Sequence, residues 1–231
     1  MRSSSAVTNH PLRVLITDDH AIVCEGLKQI IGSDPAFMVM AEVTTAAQAM
    51  QVVRAGSVDI LVLDISLPDR NGIELLKQLK QETPSLKVLI CSLHHEDAYA
   101  LRALRAGAAG YVSKQCAPDT LLSALHQVAA GRKYISAEVA QQLATQIGND
   151  AQAAPHQRLS DREYQTFLKI AMGMTVTEIA GQLTLSVKTI SMYRTRLLQK
   201  MQLRNNAELT HYAVRHQLLP EISEQSNSVM L

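Results

Sequence analysis

The sequence predicts a doubly wound α/β domain, built on a five-stranded parallel sheet and joined by a linker to a small all-α helix-turn-helix domain. Three observations predict this fold. Apolar runs of strand length alternate with amphipathic helix-length segments in the first half, only helical signals occur in the second half, and a stretch without apolar periodicity separates the two. The chain of 231 residues is long enough for two domains of ordinary size.

Five apolar runs in the first half predict the strands of the sheet. Two of them have an unbroken apolar centre, as expected of parallel strands that are covered by helices on both faces. Helical segments with apolar residues three and four apart follow the strands. Strand and helix alternate five times, which is typical of a doubly wound sheet with right-handed crossovers. The runs are RVLIT from 13, MVMAEV from 38, DILVLD from 59, KVLICS from 87 and AGYVSK from 109.

Helix-start signals define the second half. Ser160 with Glu163 and Thr175 with Glu178 have the spacing of capping boxes, and Ser186 predicts a third start. Only TLS separates the second of these helices from the third, as in a helix-turn-helix, and a further, final helix is predicted at AELTHYAVRHQLL. The predicted organisation is a disordered N-terminus (1–11), the α/β domain (12–132), a linker helix and flexible linker (133–158), the helix-turn-helix domain (159–220) and a disordered tail (221–231).

Composition and charge limit the functional classes. Hydrophobic residues make up 47% and charged residues 19%, which is ordinary for a globular protein. No apolar stretch approaches the roughly 20 residues of a membrane helix, and no signal peptide is evident, so we expect a cytoplasmic protein without a membrane partner. Residues 1–147 carry 13 basic and 14 acidic side chains, whereas 158–220 carry nine and four, which favours nucleic acid binding by the second half.

The three cysteines do not predict a disulfide framework or a zinc site. Cys24, Cys91 and Cys116 are an odd number without close spacing, and each lies in an apolar context. We therefore expect reduced thiols in the core.

Polar side chains follow four of the predicted strands: Asp18 and Asp19, Asp64, Ser92 and Lys114. Taken singly, each Asp or Ser could cap a helix, and the Lys could have its ammonium group in solvent. Ligands of open parallel sheets, however, bind at the carboxyl ends of the strands. Two carboxylates ~4 Å apart repel by about 4 kcal/mol at an effective dielectric near 20, whereas a cap returns about 1 kcal/mol. Converging carboxylates therefore require a cation, and oxygen ligands favour Mg²⁺.

Asp64 is the candidate nucleophile toward a phosphoryl group. It leaves the central strand and is followed by ISLPDRNG, whose Pro and Gly predict a loop that keeps the carboxylate accessible. Lys114 would neutralise phosphoryl oxygens, and Ser92 would donate a hydrogen bond to one. No base or acid for a second substrate is evident, which favours a phosphate acceptor over a metabolic enzyme.

A basic helix predicts a second site. Between Ser186 and Arg204 there are five basic residues and no acidic one. On a helix over 188–201, one stripe is Ile190, Tyr193, Leu197 and Met201, and the opposite face carries Lys188, Ser191, Met192, Thr195 and Arg196. Hydroxyl and methyl groups suit base edges in a major groove, while cations suit phosphates. A solvated basic helix without a partner is the alternative.

The motifs VLITDDH, LVLDISLPDRNG, VLICS and AGYVSK resemble the flavodoxin-like receiver domain of bacterial two-component response regulators, over about 12–132. The resemblance implies that a histidine kinase phosphorylates Asp64. It also implies that Asp18, Asp19, Asp64 and the backbone carbonyl of Ser66 hold Mg²⁺, that Ser92 and Lys114 contact the phosphoryl group, and that Tyr111 rotates inward on activation. An aromatic residue in a strand is also commonly just part of the core.

The stretch from Leu159 to about 219 is similar to the LuxR-type helix-turn-helix, and the whole chain to NarL/FixJ-type regulators. The resemblance implies that the helix after Ser186 enters the major groove of DNA. Base-reading candidates are Ser191, Met192 and Thr195; phosphate-contact candidates are Lys188, Thr189, Arg194 and Arg196; Thr177 and Ser186 complete the candidate set. Val176, Thr177, Ser191 and Tyr193 depart from common family residues, so a target sequence cannot be transferred.

The leading hypothesis is therefore a phosphorylation-controlled, DNA-binding transcription regulator rather than an enzyme. Phosphorylation of Asp64 would promote a homodimer on paired half-sites of double-stranded DNA. One alternative is a DNA-binding protein whose receiver only dimerises. Another is a Mg²⁺-dependent phosphatase, which would want an acid just after the nucleophile, where Ile65 and Ser66 stand.

Overall fold

The computed structural model describes residues 10–92, 96–137, 139–141, 154–216 and 218–219; of residues 96–98 it describes the backbone only. It divides into two compact units, 1–148 and 149–231. The predicted disordered ends (apart from residues 10 and 11) and half of the predicted linker lie outside the described residues. Among the helices that are described, none combines the length and the apolar character needed to cross a bilayer.

The first unit contains a five-stranded parallel sheet in the order β2-β1-β3-β4-β5, which confirms the predicted doubly wound fold. The order reverses between β1 and β3, and ligands of such sheets bind beyond the strand ends at that point. The strands are β1 (Leu12–Thr17), β2 (Phe37–Val43), β3 (Ile60–Leu63), β4 (Lys87–Ser92) and β5 (Gly110–Ser113).

Helices cover both faces of this sheet. All four residues of β3 are buried, which explains why the run reads as continuously apolar in the sequence. On one face, Val14, Ile16 and Val62 pack with residues of α1 and α5, and each such buried side chain contributes about 1.5–3 kcal/mol. Cys24 and Cys91 are buried and Cys116 is half-buried. The helices are α1 (Ala21–Gly32), α2 (Ala46–Arg54), α3 (Gly72–Glu82), α4 (Glu96–Arg105) and α5 (Pro118–Ala129).

In the described residues of the second unit the regular elements are all helices, as predicted. The two predicted capping boxes are present, with Ser160 and Glu163 bonded reciprocally at one start and Thr175 and Glu178 at the next. Between the second and third helices, Thr184 has φ 51°, a left-handed conformation that completes a tight turn before the cap Ser186. The helices are α6 (Asp161–Ala171), α7 (Val176–Gln182), α8 (Val187–Met201) and α9 (Asn206–Arg215).

Two boundaries differ from the sequence-based expectation. Pro155–Arg158, assigned to the linker, forms a 3-10 helix, and Nδ1 of His156 lies 2.9 Å from the hydroxyl of Tyr212 on α9. The last helix was expected to run to 219 but ends at Arg215. Its end is closed by a hydrogen bond from the Leu218 N–H to the carbonyl of Ala213 (2.9 Å), a six-to-one bond typical of helix ends.

Candidate functional sites

Strand register brings the first set of predicted residues together. Thr17 at the end of β1 pairs with Leu63 at the end of β3, and the N–H of Asp64 donates to the carbonyl of Thr17 (2.9 Å). Asp18 and Asp64 therefore leave neighbouring strands side by side. Directly after β5, the N–H of Lys114 donates to the carbonyl of Ser92 on β4 (2.9 Å).

Lys114 joins the two buried carboxylates. Its ammonium nitrogen lies 2.5 Å from Asp18 Oδ2 and 3.0 Å from Asp64 Oδ2, and all three side chains are at most 3% exposed. Burial raises the pKa of Asp64 above its usual value, with Asp18 adding to the rise and Lys114 opposing it. Burial by itself lowers the pKa of Lys114, but the two carboxylates outweigh this and hold the pKa above its usual value. The ammonium is therefore charged at neutral pH.

Asp19 and His20 complete the cluster on its exposed side. Nδ1 of His20 lies 2.8 Å from Asp19 Oδ1 and 3.3 Å from Asp18 Oδ1. One ligand atom from each of Asp18, Asp19, His20 and Asp64 falls within 4.8 Å of all the others, which is a spacing suited to one metal ion. His20 is not among the residues predicted for this site, although its position directly after two acids is a visible signal in the sequence.

The loop after β3 fixes the phosphoacceptor candidate. Asp64 Oδ1 accepts a hydrogen bond from the N–H of Ile65 (2.7 Å). Gly72 packs so closely that a Cβ there would lie 2.1 Å from the backbone oxygen of Asp64, and its N–H donates to the carbonyl of Ile65 (2.8 Å). Only glycine fits this close approach. The sequence predicts a loop at this glycine but not its close approach to Asp64.

Asp69 ties the same loop to helix α2. Its carboxylate accepts hydrogen bonds from the N–H groups of Ala46 (2.9 Å) and Ala47 (3.0 Å) in the first turn of α2. Negative charge at a helix N-terminus is stabilising. Asp69 is not among the residues predicted for this site, because the contact joins positions more than twenty residues apart.

The remaining predicted residues of this site take the following places. Ser66 is half-buried in the loop and forms an isolated antiparallel bridge with Asn71. Ser92 ends β4 and is fully buried. Tyr111 lies on β5 opposite Ile90 and is 2% exposed, so its side chain already occupies an inward position.

The second set of predicted residues lies on α8 and its flanks. Ile190, Leu197 and Met201 are buried, as the periodicity indicates, and Tyr193 is half-buried. The Ser186 hydroxyl caps the helix by accepting from the Thr189 N–H (3.0 Å). Exposed candidates are Lys188, Ser191, Met192, Thr195 and Arg196 on this helix, together with Thr177 on α7.

Two candidate residues, Arg194 and Thr195, donate hydrogen bonds within the domain. Arg194 is half-buried, and its Nε donates to Asn206 Oδ1 at the start of α9 (2.7 Å). Thr195 Oγ1 donates to the carbonyl of Ser191 (3.0 Å). Arg194 therefore holds two helices together whatever else it contacts. By contrast, the structure gives Arg196 an exposed position from which it can reach a ligand.

Comparison with known families agrees with this two-part architecture. Residues 14–126 match the response regulator receiver domain, and residues 157–213 match the luxR family of bacterial regulatory proteins. A receiver with an acidic pocket at its strand ends, followed by this helix-turn-helix, defines a two-component response regulator that binds DNA and regulates transcription.

Individual relatives match along nearly the whole chain. Response regulator UvrY of Escherichia coli K12 is 36% identical over 208 residues, which is 90% of this chain and 95% of UvrY. Transcriptional regulatory protein UhpA of the same strain is 37% identical over 198 residues, 86% of this chain and 95% of UhpA. RcsB of Salmonella enterica serovar Typhimurium, solved with promoter P1flhDC and the phosphomimetic BeF3-, is 29% identical, with a TM-score of 0.61 over 87% of this chain and 97% of RcsB.

The chain belongs to the NarL/FixJ family of response regulators. The family consists of transcription factors rather than enzymes, which removes the phosphatase alternative.

Proposed function

We propose that Asp64 accepts a phosphoryl group from a sensor histidine kinase in the presence of Mg²⁺, and that this modification controls dimerisation and promoter binding. One observation carries the proposal. A buried carboxylate at the switch point of the sheet lies beside a lysine ammonium, with Lys114 Nζ 3.0 Å from Asp64 Oδ2, and two further acids lie within metal-binding distance. The proposal includes a cytoplasmic location, where bacterial DNA and kinase output are found.

The donor set fits Mg²⁺. Asp18, Asp19 and Asp64 offer hard carboxylate oxygens within 4.8 Å of one another. Lys114 neutralises one of their three negative charges, and the remaining charge of −2 matches a divalent ion. With the backbone carbonyl of Ser66, these acids would hold the ion. When bound, Mg²⁺ would offset the charge that gathers between carboxylates and phosphoryl oxygens.

Each residue of the pocket has a separate role in the phosphoryl transfer. A carboxylate oxygen of Asp64 forms the new bond to phosphorus while the bond from phosphorus to the donor's imidazole nitrogen breaks. Lys114 neutralises the phosphoryl oxygens as a point charge, and Ser92, at the end of β4, donates a hydrogen bond to one of them. Tyr111 packs at the adjacent strand and senses the change at Ser92.

The added charge of about −1.5 to −2 provides the switch. It shifts an existing equilibrium toward a state that dimerises and binds paired half-sites of double-stranded DNA. Solved RcsB structures support this part of the proposal: one holds promoter DNA in the presence of a phosphomimetic, and another holds two RcsB dimers on two parallel DNAs.

Helix α8 is the proposed reader of the major groove. Its exposed side chains Ser191, Met192 and Thr195 would contact the edges of bases. The cations Lys188 and Arg196 would bind phosphates of the DNA backbone. Four further residues flank this face and would contact the phosphate backbone of the DNA: Thr189, Arg194, Ser186 and Thr177.

A receiver that only dimerises is the remaining alternative. The buried acids repel each other and would not make such a receiver more stable. Replacing a buried ionic group by apolar residues is often neutral or stabilising. The intact pocket therefore favours phosphorylation.

The test compares wild type with Asp64→Asn, and Asp119→Asn, at an exposed position in the first turn of α5, is the matched control. Each protein is treated with acetyl phosphate, with and without Mg²⁺. Intact mass, sedimentation and binding to duplexes selected from a randomised pool are then measured. We expect Mg²⁺-dependent phosphorylation, dimerisation and tighter DNA binding in wild type and Asp119→Asn, and none of these changes in Asp64→Asn. Phosphorylation of Asp64→Asn, or DNA binding that ignores the phosphodonor in wild type, would overturn the proposal.

A further inference from the structure

His20 occupies a helix-capping position that it does not use for capping. It is the N-cap of α1, yet its side chain makes no cap hydrogen bond, and the first turn of the helix has no acidic residue. Ser, Thr, Asp or Asn at this position would stabilise the helix by about 1 kcal/mol. A residue that breaks a local preference commonly serves a site.

The imidazole is instead turned toward the acidic cluster. Its Nδ1 is 2.8 Å from Asp19 Oδ1 and 3.3 Å from Asp18 Oδ1, while the backbone N–H of His20 donates to the same Asp18 oxygen (3.0 Å). Two ligand atoms that bind one ion at about 2.1 Å and at right angles lie about 3 Å apart. The nitrogen is thus already spaced from each of the two oxygens as two ligands of one ion are.

The two oxygens of Asp18 face different cations. Oδ2 contacts the ammonium of Lys114, whereas Oδ1 points to the side of His20. An ion held by Asp18 Oδ1, Asp19 and His20 therefore leaves the Lys114 contact in place. His20 is 55% exposed, so a metal ion can reach its ring from solvent.

We propose that His20 is a nitrogen ligand of the cation site, which thereby binds imidazole-preferring transition-metal ions more tightly than Mg²⁺. The inference rests on the cation site of the proposed function and adds a ligand to it. Mg²⁺ takes oxygen ligands and gains little from an imidazole, whereas affinity of nitrogen-containing sites rises along the first-row series toward Co²⁺, Ni²⁺ and Zn²⁺. The receiver is then responsive to which divalent ion is present.

The experiment titrates the full, untagged chain with Co²⁺ alone and with Mg²⁺ alone. Wild type is compared with His20→Gln and with His126→Gln, a control whose ring is 51% exposed and also pairs with an aspartate, Asp34. We expect His20→Gln to weaken Co²⁺ binding by about tenfold or more and to leave Mg²⁺ binding unchanged. His126→Gln should change neither. Wild type should also show hyperfine-shifted imidazole proton signals with Co²⁺ that disappear in His20→Gln.

Other outcomes overturn the inference. Equal losses of Mg²⁺ and Co²⁺ affinity in His20→Gln, without shifted imidazole signals, would make His20 an orienting partner of Asp19. An equal loss of Co²⁺ affinity in His126→Gln would show that Co²⁺ binds exposed histidines without preference for this site. The Mg²⁺ titration of wild type tests the proposed function separately: absent Mg²⁺ binding together with His20-dependent Co²⁺ binding would overturn the magnesium assignment and support the nitrogen ligand.

Discussion

Lys114 contacts Asp18 and Asp64 with a single ammonium group, at 2.5 and 3.0 Å. The two carboxylates directly follow β1 and β3, which are adjacent in the sheet, and the lysine follows β5, a strand at the sheet's edge. The ammonium thereby offsets repulsion that would otherwise oppose the packing of these strand ends.

Replacing this lysine should destabilise the receiver. Lys114→Met leaves two buried carboxylates without their cation, so we expect the free energy of unfolding to fall by about 3–5 kcal/mol in Mg²⁺-free buffer. Added Mg²⁺ should restore part of the loss, because it neutralises the same carboxylates. Urea unfolding with and without Mg²⁺ measures both effects. Lys77→Met, on the exposed side of α3, should change stability by less than about 0.5 kcal/mol. Equally small losses in both variants would contradict this role.

Gly72 should tolerate no side chain. A Cβ at this position would lie 2.1 Å from the backbone oxygen of Asp64, so Gly72→Ala must displace the phosphoacceptor loop. We expect a loss of about 1–3 kcal/mol and slower phosphorylation of Asp64. Gly26→Ala is the control, since its Cβ meets nothing within 4 Å on helix α1 and should stabilise by about 0.5–1 kcal/mol. Thermal unfolding and acetyl phosphate labelling would decide; a loss in Gly26→Ala matching that in Gly72→Ala would refute the steric argument.

The two arginines of α8 should behave differently. Arg196→Ala removes an exposed cation, so DNA binding should weaken and the slope of log affinity against log salt should fall by about one, with stability unchanged. Arg194→Ala also breaks the bond to Asn206, and its free energy of unfolding should drop by about 1 kcal/mol. Salt-dependent binding and urea unfolding separate the two effects. Identical stabilities for the two variants would rule out a structural role for Arg194.

Glu163 should make the stability of the second unit pH-dependent. It is buried, and its Oε2 accepts from the Ser160 N–H (2.8 Å) and from Lys200 Nζ (2.6 Å). Burial alone raises the pKa of Glu163, but these partners outweigh it, and the pKa lies below its usual value. A lowered folded-state pKa gives stability that is present above the unfolded pKa and is lost as the pH falls through the folded one.

Glu163→Gln tests this expectation, because glutamine keeps the capping geometry but removes the charge. At neutral pH we expect a loss of about 1.5–3 kcal/mol, and the difference from wild type should shrink in acid as Glu163 protonates. Glu178→Gln alters the matching capping box at Thr175, for which no ammonium contact is found among the described residues, and should cost less. Urea unfolding from neutral to acidic pH is the measurement. A difference that grows in acid would contradict the assigned sign.

The sheet and the acidic pocket were predictable from sequence because they follow from general rules. Buried parallel strands read as unbroken apolar runs, and ligands gather at their carboxyl ends, which together placed Asp18, Asp64 and Lys114 in one site. Capping chemistry likewise fixed the starts of α6 and α7 to the residue.

Contacts between distant parts of the chain were not predictable in this way. Arg194 was expected to contact phosphate, and nothing in the local pattern revealed its bond to Asn206, which depends on how α8 packs against α9. The end of α9 was also missed, since apolar residues continue past Arg215 while the backbone turns away. Periodicity describes a face of a helix but does not report where its hydrogen bonds stop.

The carboxylate of Asp69 gives the receiver an internal reporter. Because it accepts from the N–H groups of Ala46 and Ala47, the protection of those two amide protons against exchange with deuterium depends on where the loop after Asp64 sits. A loop that shifts on modification would expose them, and a loop that stays would not. The exchange rates of the Ala46 and Ala47 amide protons therefore report whether modification of Asp64 moves this loop.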